Sequence, residues 1–218
     1  MRKTLVFAIL LFALSLLSAA SVYVQGSLDM GYRTNVFSDP LPQSGDAEYR
    51  EDVEFLKRVN LGLSVKSDIF FHDWDTAGLS VKLSLDFPLT AESTKVRDPD
   101  SDDWYYYTVD SIDDQDATVI LGVGPVFRYM VSIVDIMLDL RLAVGTYDLF
   151  DTVVAGLQAD LLCNVFLSDH WFLSCGLAYE ADLMRFVDSS KSYYFEDGFT
   201  MLTVGGFVGG GYLFGGRE

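Results

Sequence analysis

Past its first 20 residues, the chain has no apolar run long enough for a membrane-spanning helix, which takes about 20 consecutive apolar residues. Positive charge is scarce. Against 32 Asp and Glu stand 15 Lys and Arg, a net charge of −17, which argues against a basic patch for nucleic acid or anionic lipid. The sequence contains neither a glycine–serine nucleophile motif nor a cluster of metal ligands, so no catalytic residue, metal site or cofactor is assigned. No internal repeat or low-complexity tract is evident, and the N-terminal stretch lacks the cysteine that a lipid-modified terminus would need.

What the chain does have begins with an address. In MRKTLVFAILLFALSLLSAAS, Arg2 and Lys3 supply a positive start and residues 5–17 an apolar run. Ser18, Ala19 and Ala20 then offer small residues for cleavage before Ser21. Residues 1–20 therefore read as a secretory signal peptide, and residues 21–218 as one domain. Half of the residues are hydrophobic, with 16 Phe and 12 Tyr. An exported chain this apolar, without spanning helices, has one remaining way to satisfy its backbone in hydrocarbon, the closed β-barrel.

The stretch GLSVKLSLDF (78–87) shows how. Leu79, Val81, Leu83, Leu85 and Phe87 alternate with small or charged residues, the period of a strand with two unlike faces. Eight segments share the pattern, at about 22–34, 53–71, 77–87, 117–129, 134–145, 153–167, 171–185 and 199–214. Eight is even, as single-chain bacterial barrels require. Acidic connections at about 35–52 and 88–116, both long, 186–197, intermediate, and 146–152, short, alternate with turns near 72–76, 130–133 and 168–170 that are shorter than most of them. The expectation is an all-β, eight-stranded antiparallel up-and-down transmembrane β-barrel. Its long loops would be extracellular, and its turns and both termini periplasmic.

A soluble barrel alternates too, so the polar face has to decide which side meets lipid. That face carries Asp29, Glu54, Asp68, Asp86, Asp135, Asp139, Asp160, Glu180 and Asp182 against Arg33, Arg58, Lys66, Lys82, Arg128, Arg141 and Arg185, interspersed with Gly and Ser. Near-balanced charge suits a lumen in which buried ions must pair. Frequent glycine suits an interior barely wide enough for side chains. In lipid, a midplane Lys or Arg would cost ~2–4 kcal/mol. All of these but Glu54 and Asp68 are therefore expected to form a lumen ion-pair network, with Phe172, Leu162, Val126 and Met137 hinting at an apolar stretch inside. On the other face, Phe71, Phe127, Tyr129, Trp171, Tyr212 and Phe214 gather at one end of the strands and Tyr32, Phe55, Phe87, Tyr147 and Tyr179 at the other, as interfacial belts do. Lys57 departs from the pattern, beyond the expected lipid band.

With these features the chain resembles the small eight-stranded outer-membrane barrels of Gram-negative bacteria, the group that includes the outer-membrane proteins A, X and W. The resemblance spans the mature chain and is architectural. In GGFVGGGYLFGGRE, the placement of Gly209, Tyr212 and Phe214 looks like the C-terminal insertion signal read by the barrel-insertion machinery. It departs from that signal in the four residues that follow and in Phe207, where a polar residue is usual. The resemblance implies outer-membrane lipid and the insertion machinery as partners.

Further candidates are local. Glu180 and Asp182 lie two apart on the inward face, as paired carboxylates for acid–base work or as members of the ion-pair network. His72 and His170 fall at turns. Asp98, Asp100, Asp102 and Asp103 form an acidic loop stretch that either binds Ca²⁺ or is simply solvated, and Trp104, Tyr105, Tyr106 and Tyr107 beside it are candidate contacts for host or surface proteins. Cys163 and Cys175 are equidistant from Asp169 and both point outward, so they form either a cross-strand disulfide or two free thiols. Two functions follow. One is a non-enzymatic structural or surface-interaction barrel. The other is a narrow channel for small or hydrophobic molecules.

Overall fold

Alternation with a period of two becomes antiparallel strands in the computed structural model, which describes residues 19–37, 53–71, 74–97, 105–110, 117–147, 152–188, 193–196 and 200–215. The strands are β1 (Ala19–Phe37), β2 (Val53–Phe71), β3 (Trp74–Arg97), β4 (Tyr105–Asp110), β5 (Thr118–Val131), β6 (Val134–Tyr147), β7 (Thr152–Phe166), β8 (Trp171–Asp188), β9 (Tyr193–Glu196) and β10 (Thr200–Phe214). Eight of them pair in a ring, β1-β2-β3-β5-β6-β7-β8-β10, and β10 returns to β1 with Val22 opposite Phe214 and Arg33 opposite Thr203. Closure leaves no sheet edge unpaired in the wall. Each wall strand has 14 or more residues, beyond the 9–11 or so that cross a bilayer.

β4 and β9 stand outside the ring. β4 pairs with the far end of β3 (Val96 opposite Tyr106), and β9 with the far end of β8 (Val187 opposite Tyr194). The expected loops are thereby corrected. Residues 88–97, 105–110, 186–188 and 193–196 are ladder rather than loop, and β1 runs on to Phe37. β-branched residues such as Thr90, Thr94 and Val96 keep the backbone extended where the acidic composition suggested a loop. Pro88 has no N–H to give, and the β2–β3 register shifts there, between Val59 and Asn60. Tyr105, Tyr106 and Tyr107 thus lie on β4. Trp104, His72 and Asp98–103 fall outside the described residues, as does nearly all of the leader. β1 begins two residues before the expected cleavage point.

The wall sorts side chains by parity. Leu142 (71% exposed), Leu177 (65%) and Val65 (60%) face out, and so do the rings of Tyr129, Trp171 and Phe214 at the short-turn end and of Tyr32, Phe87 and Tyr179 toward the other. Val22 and Ile69, neighbours in register on this same face, are covered instead. The side chains of Phe55, Lys57 and Glu54 lie outside the described residues.

Inward glycines make room for large neighbours. A Cβ on Gly176 would stand 2.6 Å from the Phe207 ring and 2.5 Å from the Leu161 carbonyl oxygen, closer than real Cβ contacts come. Outward-facing Gly26 has nothing within 4 Å of that position. Gly176→Ala is therefore expected to destabilise the barrel by about 1–3 kcal/mol through overpacking. Gly26→Ala should be neutral, or stabilising by up to ~1 kcal/mol. Urea titration of the refolded protein separates the two.

Candidate functional site: the filled lumen

Inward residues of opposite walls meet across the barrel axis. At the centre, Lys66 on β2 reaches Asp139 on β6 at 2.8 Å and Asp68 on its own strand at 2.9 Å. Arg141 donates from Nη1 to Asp139 at 2.8 Å and to Ser80 Oγ at 3.1 Å, and from Nη2 to Asp160. Lys82 on β3 donates to Asp160 on β7 at 3.1 Å and stands 4.0 Å from Asp29 on β1. The result is one alternating chain, Asp68–Lys66–Asp139–Arg141–Asp160–Lys82–Asp29, carried by five strands. Alternation in charge is what permits burial, since each ion is flanked by its opposite.

Toward the long-loop end, Arg33 on β1 donates to Glu180 on β8 at 2.5 Å and to Thr203 Oγ1 at 2.8 Å, and stands 4.0 Å from Asp182. Arg58 donates to Asn60 Oδ1 and, at 3.3 Å, to Thr118 Oγ1. Gln158 Nε2 donates to the second Glu180 oxygen at 2.8 Å. Glu180 and Asp182 thus share Arg33. The side chain of Arg185 lies outside the described residues.

Arg128 and Asp135 sit apart from this chain, at the short-turn end. Tyr23 joins them. Its hydroxyl donates to Asp135 at 2.6 Å and accepts from Arg128 at 2.8 Å, while the guanidinium lies 4.1 Å over the Phe70 ring and donates to Ser21 Oγ at 3.3 Å. Below the ionic layer, Tyr23, Phe70, Phe166, Phe172 and Leu213 pack with Val126, Met137, Leu162 and Phe207 into a buried apolar floor. The rings of Tyr23 and Phe172 are 5.6 Å apart, and those of Phe166 and Phe172 are 5.5 Å apart. Four of these nine, Phe172, Leu162, Val126 and Met137, were expected inside. Tyr23, Phe70, Phe166, Leu213 and Phe207 were missed as lumen residues.

Asp86 stands beside the ionic layer, facing a cavity of about 50 Å³. Of the insertion-signal residues, Gly209 faces the lumen against the Gly26 carbonyl, and Phe214 is exposed on the outer face. Tyr212 is clasped between His170, stacked at 5.2 Å, and Trp171, edge-on at 5.0 Å. His170 also reaches the Leu213 carbonyl oxygen with Nδ1 at 3.0 Å, and its own carbonyl accepts from Leu213 N at 2.7 Å. Cys163 and Cys175 are directly opposite in register on the outer face, both as free thiols. Among the described residues, no group of three or more His, Cys, Asp or Glu side chains has the geometry to hold a metal ion.

No protein-family model matches the chain, and no curated protein matches it in sequence. Solved structures match in fold. The chain superposes on Neisserial surface protein A (NspA) with a TM-score of 0.50 at 11% identity, over 88% of this chain and 96% of that one. It superposes on the outer membrane protein OprG of Pseudomonas aeruginosa with a TM-score of 0.50 at 12% identity, over 90% of this chain and 97% of that one. The fold is that of the small eight-stranded outer-membrane barrels, as the sequence resemblance implied.

Proposed function

We propose that this chain is an integral protein of the bacterial outer membrane, exported by a leader cleaved after residue 20. In this reading it works without catalysis, as a closed barrel whose long-loop end meets surface partners. One observation carries it: the apolar face is bare on the outside, while the ionised face is sequestered inside. A continuous exterior of exposed Leu, Val and aromatic side chains far exceeds the few hundred Å² that a soluble monomer leaves uncovered. Lipid is the medium that accepts it, with Trp171 and Tyr129 at one interface and Tyr32 and Tyr179 at the other. Short turns, the start of β1 and the end of β10 then face the periplasm, and β4, with Tyr105–Tyr107, extends the barrel toward the exterior. Outward Tyr212 and Phe214 on the last strand, with Gly209, support recognition by the insertion machinery.

Most of the lumen's charged groups are committed to one another, which supports a structural or surface-interaction role over an enzymatic one. The cavity supports the second reading, a narrow channel, but the floor of nine packed side chains beneath it weighs against a through-path. Conductance in planar bilayers tests this. The purified barrel is expected to be silent, and clear, reproducible single-channel steps would replace the closed reading with the channel. For the loop end, deleting residues 97–116 is expected to reduce adhesion to host or surface ligands while the barrel still folds. Unchanged adhesion would remove that stretch from the partner surface.

A further inference from the structure

The cavity in the upper lumen is built around one unmatched carboxylate. Asp29 on β1, Gly62 on β2 and Asp86 on β3 lie in one cross-strand row, Asp29 opposite Gly62 and Gly62 opposite Asp86. Because Gly62 has no side chain, the Asp86 carboxylate occupies the place of its Cβ, with Asp29 Cβ 3.4 Å from the same point. Two acids therefore stand side by side, and Asp160, Glu180 and Lys82 line the same space, four acids to one base. Three of the four have a cation in contact range: Asp160 has Arg141 and Lys82, Glu180 has Arg33, and Asp29 has Lys82 at 4.0 Å. Asp86 has no ion pair among the described residues; Arg33, Lys82 and Arg58 act on it only through space.

Two buried amides independently mark the cavity as a polar binding space. Asn60 (2% exposed) and Gln158 (6% exposed) line the cavity, and Asn60 Nδ2 and Gln158 Oε1 have no hydrogen-bond partner among the described residues. Their other amide atoms are fixed, by Arg58 on Asn60 Oδ1 and by Glu180 on Gln158 Nε2. Water alone would satisfy the orphaned donor and the orphaned acceptor, but the unmatched carboxylate beside them favours a cation that brings its own water. About 50 Å³, at ~15 Å³ per water, gives room for roughly three water-sized bodies. Among the described residues, no three acidic side chains converge as a metal-binding group, so a dehydrated divalent ion with several carboxylate ligands does not fit.

We propose that this cavity is an internal site for one small monovalent cation that keeps part of its water shell, held by Asp86 and Asp29. Asn60 anchors a shell water and Gln158 supplies an oxygen. The site is independent of the loops and of whether the barrel conducts.

The test is urea unfolding of the refolded full chain in NaCl against choline chloride at equal ionic strength, choline being too large to enter. A bound ion stabilises the folded state in proportion to 1 + [L]/Kd, so Na⁺ at ten times its Kd raises the folded-to-unfolded ratio ~tenfold. Wild type is expected to unfold at a higher urea midpoint in NaCl. Asp86→Asn is expected to lose that difference while being at least as stable as wild type in choline chloride, having shed an unmatched charge. Should Asp86→Asn fail to refold, Asp29→Asn carries the same expectation of a lost sodium effect. Equal wild-type midpoints in the two salts would overturn the proposal. So would a sodium effect that survives in the variant, or stabilisation by micromolar Ca²⁺ in place of Na⁺.

Discussion

Replacing Arg141 by methionine is expected to lower the unfolding free energy by about 3–5 kcal/mol, the range for removing one partner of a buried ionic network. Its side chain is fully buried and holds Asp139 and Asp160, the two acids on which the chains from Lys66 and Lys82 converge. Each acid would keep one cation, but four acids would then share two lysines, so the loss leaves an additional uncompensated buried charge. It is also the loss of the joint between two half-chains, in a medium where neighbouring carboxylates repel strongly. Methionine matches much of the arginine's length, so the expected effect comes from charge and hydrogen bonding rather than from a cavity. Arg141→Lys should fall between the two proteins, because an ammonium is a point charge that cannot fork to Asp139, Asp160 and Ser80 together. Urea titration of the barrel refolded in detergent, read by its shift in gel mobility, measures all three. A loss below ~1 kcal/mol for Arg141→Met would mean that the network is solvated, and that the lumen is wetter than its geometry implies.

How far the lumen was legible depends on what parity can reveal. In β6, Asp135, Asp139 and Arg141 alternate with Ile136, Leu138, Leu140 and Leu142, so a single choice of side places every charge. The same logic put Cys163 opposite Cys175, because the turn between them fixes the register. It fails where both faces are apolar. Tyr23 sits between Val22 and Val24, Phe70 between Ile69 and Phe71, Phe166 between Val165 and Leu167, and Leu213 between Tyr212 and Phe214. In each triplet the outer members belong to the outward stripe and the middle one to the floor. Three successive apolar residues at the short-turn end of a strand are thus the trace of a plug, a signal present in the sequence and invisible to a search for alternation. The extended hairpins were hidden for a different reason. Residues 88–97 and 105–110 hold strand conformation through backbone pairing, beyond the alternating stretch that marks the wall, so charge patterning reads them as loop.

The assignment of lipid to the outer face makes its own demand on Leu28. This residue is 47% exposed, midway along β1, with Leu63 and Val208 beside it in register. Leu28→Arg is expected to cost about 2–4 kcal/mol when the barrel is folded into phospholipid vesicles, the penalty of a guanidinium near the midplane. Four residues on, Tyr32 belongs to the same outward row and is equally exposed, but sits at the aromatic rim. Tyr32→Arg should cost only ~0–1 kcal/mol, because an arginine there reaches the headgroups. A water-exposed surface has no such gradient, since both substitutions would stay within about ±0.5 kcal/mol. The difference between the two variants, measured by urea titration in the same vesicles, therefore reads depth rather than general tolerance. Equal costs at Leu28 and Tyr32 would show that no hydrocarbon lies against β1. The ionised lumen would then have to be explained as the core of a soluble barrel, with its apolar exterior covered by something other than lipid.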